Sequence, residues 1–342
     1  MNVKRMIDLY NQAAINYIVP LIILIGSSIT LFGLAAAIPH QQDVSFVTFD
    51  ALSDGIENYY DFRSPWKPRI LSTALAAYTI RIGERILESG SVPMVKNIYQ
   101  FTLGVWTSGW FFLTCLSLIL ALRKRSIFYI FGTFAGICFG YLVFYKTVIR
   151  LYSWDLPALF IFSIFVLLYI NKKYWWVFVL IPLSIGLKET AFILCFAFIF
   201  SDQPWRTRIL MTAGCFLISM MVKIGIDAYV HAPLFFTMRM DSLDGTSTEL
   251  YLFSNVRLLL KDLIPLFANA GMLIALFLIP SANAEARTLK LIAIPFIAGI
   301  VLFGIVTEYR IWFELIPFSL YAIDSAVFGD PLKQQDSSIP AS

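Results

Sequence analysis

The stretch YWWVFVLIPLSIGLKETAFILCFAFIF, Tyr174 to Phe200, decides how the rest of the chain is read. It runs for 27 residues, and its only charges are Lys188 and Glu189. A membrane-spanning helix needs about 20 apolar residues. The run is long for one span and is broken near its middle by Gly186-Leu187-Lys188-Glu189. It reads as two short helices forming a hairpin, with Lys188-Glu189 near the tip.

The flanking charges support that reading. Lys172-Lys173 precede the stretch, and Arg206 and Arg208 follow it. A hairpin returns both basic loops to one side; a single span would put them on opposite sides and invert every later loop. Arg123-Lys124-Arg125 and the pair Arg287 and Lys290 then fall on that same side, opposed only by Asp202 and Glu285. Short basic loops mark the cytoplasmic face, so both termini are expected inside, in what the compact size suggests is a bacterial inner membrane.

Further apolar runs cover Ile15–Ile38, Ile98–Leu122, Ile127–Val148, Leu156–Ile170, Ile209–Tyr229, Leu263–Pro280, Leu291–Val306 and Ile311–Phe328. With the hairpin they make about ten transmembrane helices. The expected fold is an all-α polytopic membrane protein, with one transmembrane domain over 1–328 and a short cytoplasmic tail over 329–342. Composition agrees: 59% of the 342 residues are hydrophobic and 14% charged, against about 25% charged in soluble domains. Mean hydropathy is +0.76. The first run follows Lys4-Arg5 and is too long for a signal-peptide core, so it is expected to stay as a signal anchor. No basic run exceeds Arg123-Lys124-Arg125, and a nucleic-acid partner is not expected.

Cys115, Cys138, Cys195 and Cys215 sit in apolar runs without a CxxC pair and read as small buried hydrophobes. His40 and His231 lie far apart, so no metal site is expected from them.

Two long segments face outward, about 39–96 and 230–262. Loops of that length are often functional. The first begins with Asp43, Asp50, Asp54, Glu57 and Asp61. It continues into a helical pattern over 69–88, with Ile70, Leu71, Ala74, Leu75, Tyr78, Ile82 and Ile86 on one face. Its several charges place it at the interface as an amphipathic helix and not across the membrane.

Charge at bilayer depth is costly, so such residues are usually paired or functional. Three groups qualify. Lys188-Glu189 is the first, read either as a lipid-phosphate site or as a mutually paired tip. Arg310 and Glu314 are the second, spaced to pair on one helical face. The third is Lys146 and Arg150 ahead of Trp154-Asp155. Arg150 suits a phosphate, and Asp155 suits the positive end of the following helix. A loop carboxylate, once positioned and desolvated, can serve as a general base.

The order of these features resembles the GT-C superfamily of polytopic glycosyltransferases, and within it poorly characterised bacterial members. The resemblance rests on Asp50, Tyr59-Tyr60, Pro65-Trp66 with Arg69-Ile70-Leu71, and Lys188-Glu189-Thr190 in the broken pair. It implies transfer of a sugar from a polyprenyl-phosphate carrier to a lipid or glycan acceptor on the outer face. It implies a first-loop acid as base: Asp50, with Asp54 and Asp61 as substitutes. Arg69, Arg150, Lys188 and Arg310 would hold the lipid phosphate. Glu189, Asp155, Glu314, Tyr59, Tyr60 and Trp66 would line the pocket. A divalent cation, Mg or Mn, among the loop acids is compatible with such a site, although their spacing matches no ligand motif. The loop lacks an adjacent acid pair, and no large C-terminal domain follows Phe328; both depart from the best-known pattern. The alternatives are a flippase or other transporter, for which Lys223 and Asp227 would be the buried pair, and an assembly factor or polymerase of another fold.

Overall fold

The computed structural model describes residues 17–36, nine positions between 71 and 85, and residues 98–121, 126–144, 154–229, 276–281, 283–303 and 309–328. Every element among them is helical. In chain order these are α1 (Val19–Ala36), α2 (Ile98–Ala121), α3 (Ser126–Phe144), α4 (Asp155–Ile170) and α5 (Tyr174–Ser184). A 3-10 segment, Glu189–Phe200, comes next, then α6 (Trp205–Tyr229) and α7 (Ala284–Phe303). A second 3-10 segment, Tyr309–Leu315, leads into α8 (Ile316–Phe328).

Among the described residues the structure is all-α, as expected from the sequence. The run 311–328 is not one helix, however. Pro317 has no N–H for the carbonyl of Phe313, so the turn before it lacks an α-helical bond and is wound as 3-10.

Two apolar clusters form the interior. One joins α1, α2 and α3 to Leu156 and Leu159 of α4 and to Phe313, Ile316 and Leu320. The other joins the rest of α4 to the hairpin, α7 and the other face of α8. Helices α4 and α8 therefore belong to both. In the second cluster Phe162 packs on Phe296 and Phe318 with centroids 5.5 and 6.0 Å apart, an arrangement that adds to burial alone. Helices α1 and α2 lie close because Gly104 has no side chain. A Cβ there would fall 2.7 Å from the Phe32 ring and 3.1 Å from its carbonyl oxygen.

The hairpin limbs are short. At about 1.5 Å per residue, the 11 residues of α5 reach roughly 16 Å. At about 2.0 Å per residue, the 12 residues of the 3-10 segment reach roughly 24 Å. So long a 3-10 run is uncommon. Here three residues per turn bring Ala191, Leu194 and Ala197, all buried, onto one line. Tyr169 at the end of α4 donates its hydroxyl to the carbonyl of Ala197 at 3.2 Å, tying the return limb to α4.

Helix α6 has the reverse of a soluble helix's polarity. Its buried residues are Cys215, Ser219, Lys223 and Asp227, one every fourth position. Its exposed residues include Leu210, Leu217, Ile218, Met221 and Ile224, with Leu210 72% exposed. Among the described residues α6 is the one helix long and apolar enough to cross a membrane. Helices α4 and α5 and the core stretches of α1, α2 and α3 are shorter and apolar.

Candidate functional site

The break between the hairpin limbs has a local cause. Pro182 lies inside α5 and cannot bond the carbonyl of Phe178 four residues back. That carbonyl is taken by the Cys215 thiol from α6, at 4.0 Å. Cys195 in turn donates to Cys215 at 3.5 Å and lies 3.9 Å from the Ser219 hydroxyl. The cysteines are free thiols, as expected, but Cys215 serves the backbone at a proline and Cys195 backs it.

Past Pro182, Ile185, Leu187 and Lys188 bond back to Pro182 and Ser184. Lys188 is then extended, with φ −160 and ψ 133, and the 3-10 segment begins. The extended residue aims the lysine away from the limbs and into the bundle.

There Lys188 meets both other charge groups singled out in the sequence. Its Nζ lies 2.5 Å from Glu314 Oε1 and 3.3 Å from Asp155 Oδ1. All three side chains are buried. Asp155 comes from the first turn of α4, Lys188 from the break, and Glu314 from the 3-10 segment before α8. Asp155 does sit at a helix N-terminus, as the dipole reading expects, but its carboxylate reaches Lys188. Lys188 has partners on two other elements, so the tip is not simply a Lys188–Glu189 pair; Glu189 opens the 3-10 segment and is partly exposed. Three ionisable groups removed from water are expensive, and mutual contact offsets part of that cost.

The same break touches the first long segment. Leu71 donates its N–H to the Gly186 carbonyl at 3.1 Å. A Cβ on Gly186 would lie 3.1 Å from Leu71 Cβ and 3.4 Å from Ile226 Cδ1. The described positions from 71 to 85 are helical. Ser72 and Ala76 are buried, whereas Leu71, Leu75, Tyr78 and Ile82 are exposed. Ser72 and Ala76 face the bundle, Leu71 lies against Gly186 at its edge, and Leu75, Tyr78 and Ile82 face away.

A second ion pair lies in α6. Lys223 Nζ is 2.5 Å from Asp227 Oδ1, and both residues are buried. A third closes the opposite end of the hairpin, where Lys172 Nζ lies 2.8 Å from Asp202 Oδ2. Hydrogen bonding to Lys172 holds the Asp202 carboxyl below its usual range and, reciprocally, holds Lys172 above its own. The pair places the loops after α4 and before α6 at one end of the bundle.

Asp50, Asp54, Asp61, Tyr59, Tyr60, Trp66, Arg69 and Arg150 lie outside the described residues. The backbone of Arg310 is in the 3-10 segment Tyr309–Leu315, but its side chain is outside the description. Among the described residues no group of three or more His, Cys, Asp or Glu side chains is placed to hold a metal. Comparison with protein-family models, with curated proteins and with solved structures finds no match.

Proposed function

We propose that the chain is a polytopic membrane glycosyltransferase of GT-C type, taking sugar from a polyprenyl-phosphate donor. The observation that carries this reading is the Leu71–Gly186 hydrogen bond. It joins the two segments on which the family resemblance rests: the one ending Arg69-Ile70-Leu71 and the broken pair bearing Lys188-Glu189-Thr190.

Polarity supports the membrane part. Large apolar side chains cover the outside of α6 while lysine and aspartate are buried, which is favourable where the surroundings are lipid and costly in water. The hairpin limbs, roughly 16 and 24 Å long from their residue counts, fall short of a hydrocarbon layer about 30 Å thick. Entering from the Lys172 end, the hairpin is re-entrant and its tip sits at bilayer depth. Non-helical backbone is tolerated there only when enclosed by protein or lining a cavity, and Gly186, Leu187 and Lys188 are buried.

In the transfer step an acceptor hydroxyl gives its proton to a loop carboxylate. Asp50 is the first choice, then Asp54 or Asp61. The acceptor oxygen bonds the anomeric carbon, the bond from that carbon to the phosphate oxygen breaks, and polyprenyl phosphate leaves. Because Asp155 and Glu314 already occupy Lys188, its part is to fix the break beside the site. Holding the phosphate falls to Arg69, Arg150 and Arg310.

A flippase or transporter is the second reading. The buried Lys223–Asp227 pair and the broken hairpin favour it, since discontinuous helices and intramembrane charges mark transport sites. The test is transfer of labelled sugar from polyprenyl-phosphate donor by purified protein in nanodiscs, comparing wild type with Asp50→Asn, Asp54→Asn and Asp61→Asn. Loss in one variant with donor binding intact supports the transferase. Donor binding without transfer to any acceptor sinks it.

A further inference from the structure

The Lys172 end of the hairpin has its own chemistry. Helix α4 closes with Lys172 in the left-handed region, φ 55. Lys172 and Lys173 donate their N–H groups to the carbonyls of Tyr169 and Leu168 at 3.0 and 2.9 Å. This pairing satisfies the last carbonyls of the helix and turns the chain directly into α5. Lys172 is then held by Asp202. Arg208 is held as well, its Nε on the Gln203 carbonyl at 2.5 Å and its Nη1 on that of Ile199 at 3.4 Å.

Two cations remain. Lys173 and Arg206 are exposed and have no ion-pair partner among the described residues. Lys173 is the residue before α5, which has no side-chain cap on its first N–H groups. Arg206 is in the first turn of α6. Helices α5 and α6 run side by side in the same direction, joined where Cys215 reaches the Phe178 carbonyl. Their starts also carry Trp175, Trp176 and Trp205, all exposed. Tryptophan prefers the membrane–water boundary, where its ring meets the ester region. Lysine and arginine beside a membrane attract acidic headgroups.

We propose that the starts of α5 and α6 form a binding site for the headgroup of an anionic phospholipid. Lys173 and Arg206 take the phosphate, while Trp175, Trp176 and Trp205 pack at the glycerol level. The site lies at the end of the hairpin opposite Lys188 and is separate from the transfer chemistry. It rests on the membrane reading alone.

The test uses the full chain in nanodiscs of equal parts phosphatidylcholine and phosphatidylglycerol, with brominated acyl chains on one lipid at a time. Brominated phosphatidylglycerol is expected to quench tryptophan fluorescence more than brominated phosphatidylcholine. The Lys173→Gln/Arg206→Gln variant is expected to lower that preference by about fivefold per charge removed. Trp175→Phe/Trp176→Phe/Trp205→Phe is expected to remove the difference in quenching. Equal quenching by the two lipids in wild type, or a preference that survives the double charge variant, overturns the site. So does loss of the preference on adding soluble glycerol phosphate, which would assign the cations to a free phosphoryl group. Failure of the protein to insert into any nanodisc is a distinct result and overturns the membrane reading itself.

Discussion

Lys188 at the break of the hairpin and Glu314 ahead of the last helix are in direct contact, Nζ to Oε1 at 2.5 Å, in the interior of the bundle. Asp155 completes the group on the other side of the ammonium. Removing the shared cation leaves two carboxylates buried together. Lys188→Met is therefore expected to cost about 3–5 kcal/mol, read as a large fall in unfolding temperature in detergent. Lys188→Met/Glu314→Gln removes one stranded charge and is expected to recover part of the loss. If the single variant melts with wild type, the three groups are not buried together.

The charges themselves were legible in the sequence, because Lys188, Asp155 and Glu314 stand in or beside apolar runs. Their partners were not. Glu314 meets Lys188; the expected Arg310–Glu314 pairing involves an Arg310 side chain outside the described residues, and it assumed 3.6 residues per turn. In the 3-10 segment Tyr309–Leu315 three residues complete a turn, so position 314 lies about a third of a turn away from 310. The amphipathic pattern over 69–88 was visible too, but periodicity does not say whether an apolar face meets protein or lipid. The bundle takes Ser72 and Ala76, whereas Leu75, Tyr78 and Ile82 look outward. The role of Cys215 needed the fold, since the carbonyl it serves is freed by Pro182 on a neighbouring helix. The loop acids lie outside the described residues, and their ranking still rests on the resemblance.

The Lys172–Asp202 pair gives a pH dependence with a definite sign. Asp202 has its folded pKa lowered, chiefly by the hydrogen bond from Lys172. Its stabilisation is present above the ordinary carboxylate value of about 3.9 and is lost as pH falls through the lower folded value. Lys172 is shifted up, chiefly by the hydrogen bond to Asp202, so its contribution is present below about 10.4 and fades as pH rises through the raised value. Both side chains are about half exposed, which limits the pair to about 0–1 kcal/mol. The difference in unfolding temperature between wild type and Asp202→Asn should be small at neutral pH, shrink in high salt, and vanish in strong acid. A difference that grows on acidification would contradict the pairing.

The Lys223–Asp227 pair separates the two functional readings. Each residue is buried on a helix whose other faces are apolar. Lys223→Met alone strands Asp227 and is expected to cost about 3–5 kcal/mol, whereas replacing a whole buried pair is often close to neutral. Lys223→Met/Asp227→Leu should therefore melt nearer to wild type than Lys223→Met. For a transferase whose chemistry sits at the first-loop acids, the double variant keeps most of its sugar transfer. For an ion-coupled transporter it loses substrate movement across proteoliposomes, because the buried titratable pair described on α6 is gone. Measuring transfer and uptake on one preparation decides between them.

Gly186 tests whether the first long segment must dock on the hairpin for activity. Its carbonyl accepts from Leu71, and an added Cβ would meet Leu71 Cβ at 3.1 Å and Ile226 Cδ1 at 3.4 Å. The first contact is tight and lies next to the backbone, so relief requires the segment to move. Such overpacking typically costs about 1–3 kcal/mol. Under the transferase reading the displaced segment is the one that continues from the loop acids, so Gly186→Ala is expected to lose transfer activity by more than it loses stability. Leu71→Gly/Gly186→Ala moves the missing Cβ to the other side of the contact and restores the room. Recovery of transfer in that double variant, beyond what Leu71→Gly alone shows, would tie activity to this docking. Full activity in Gly186→Ala would detach the segment from catalysis and remove the observation on which the proposed function chiefly stands.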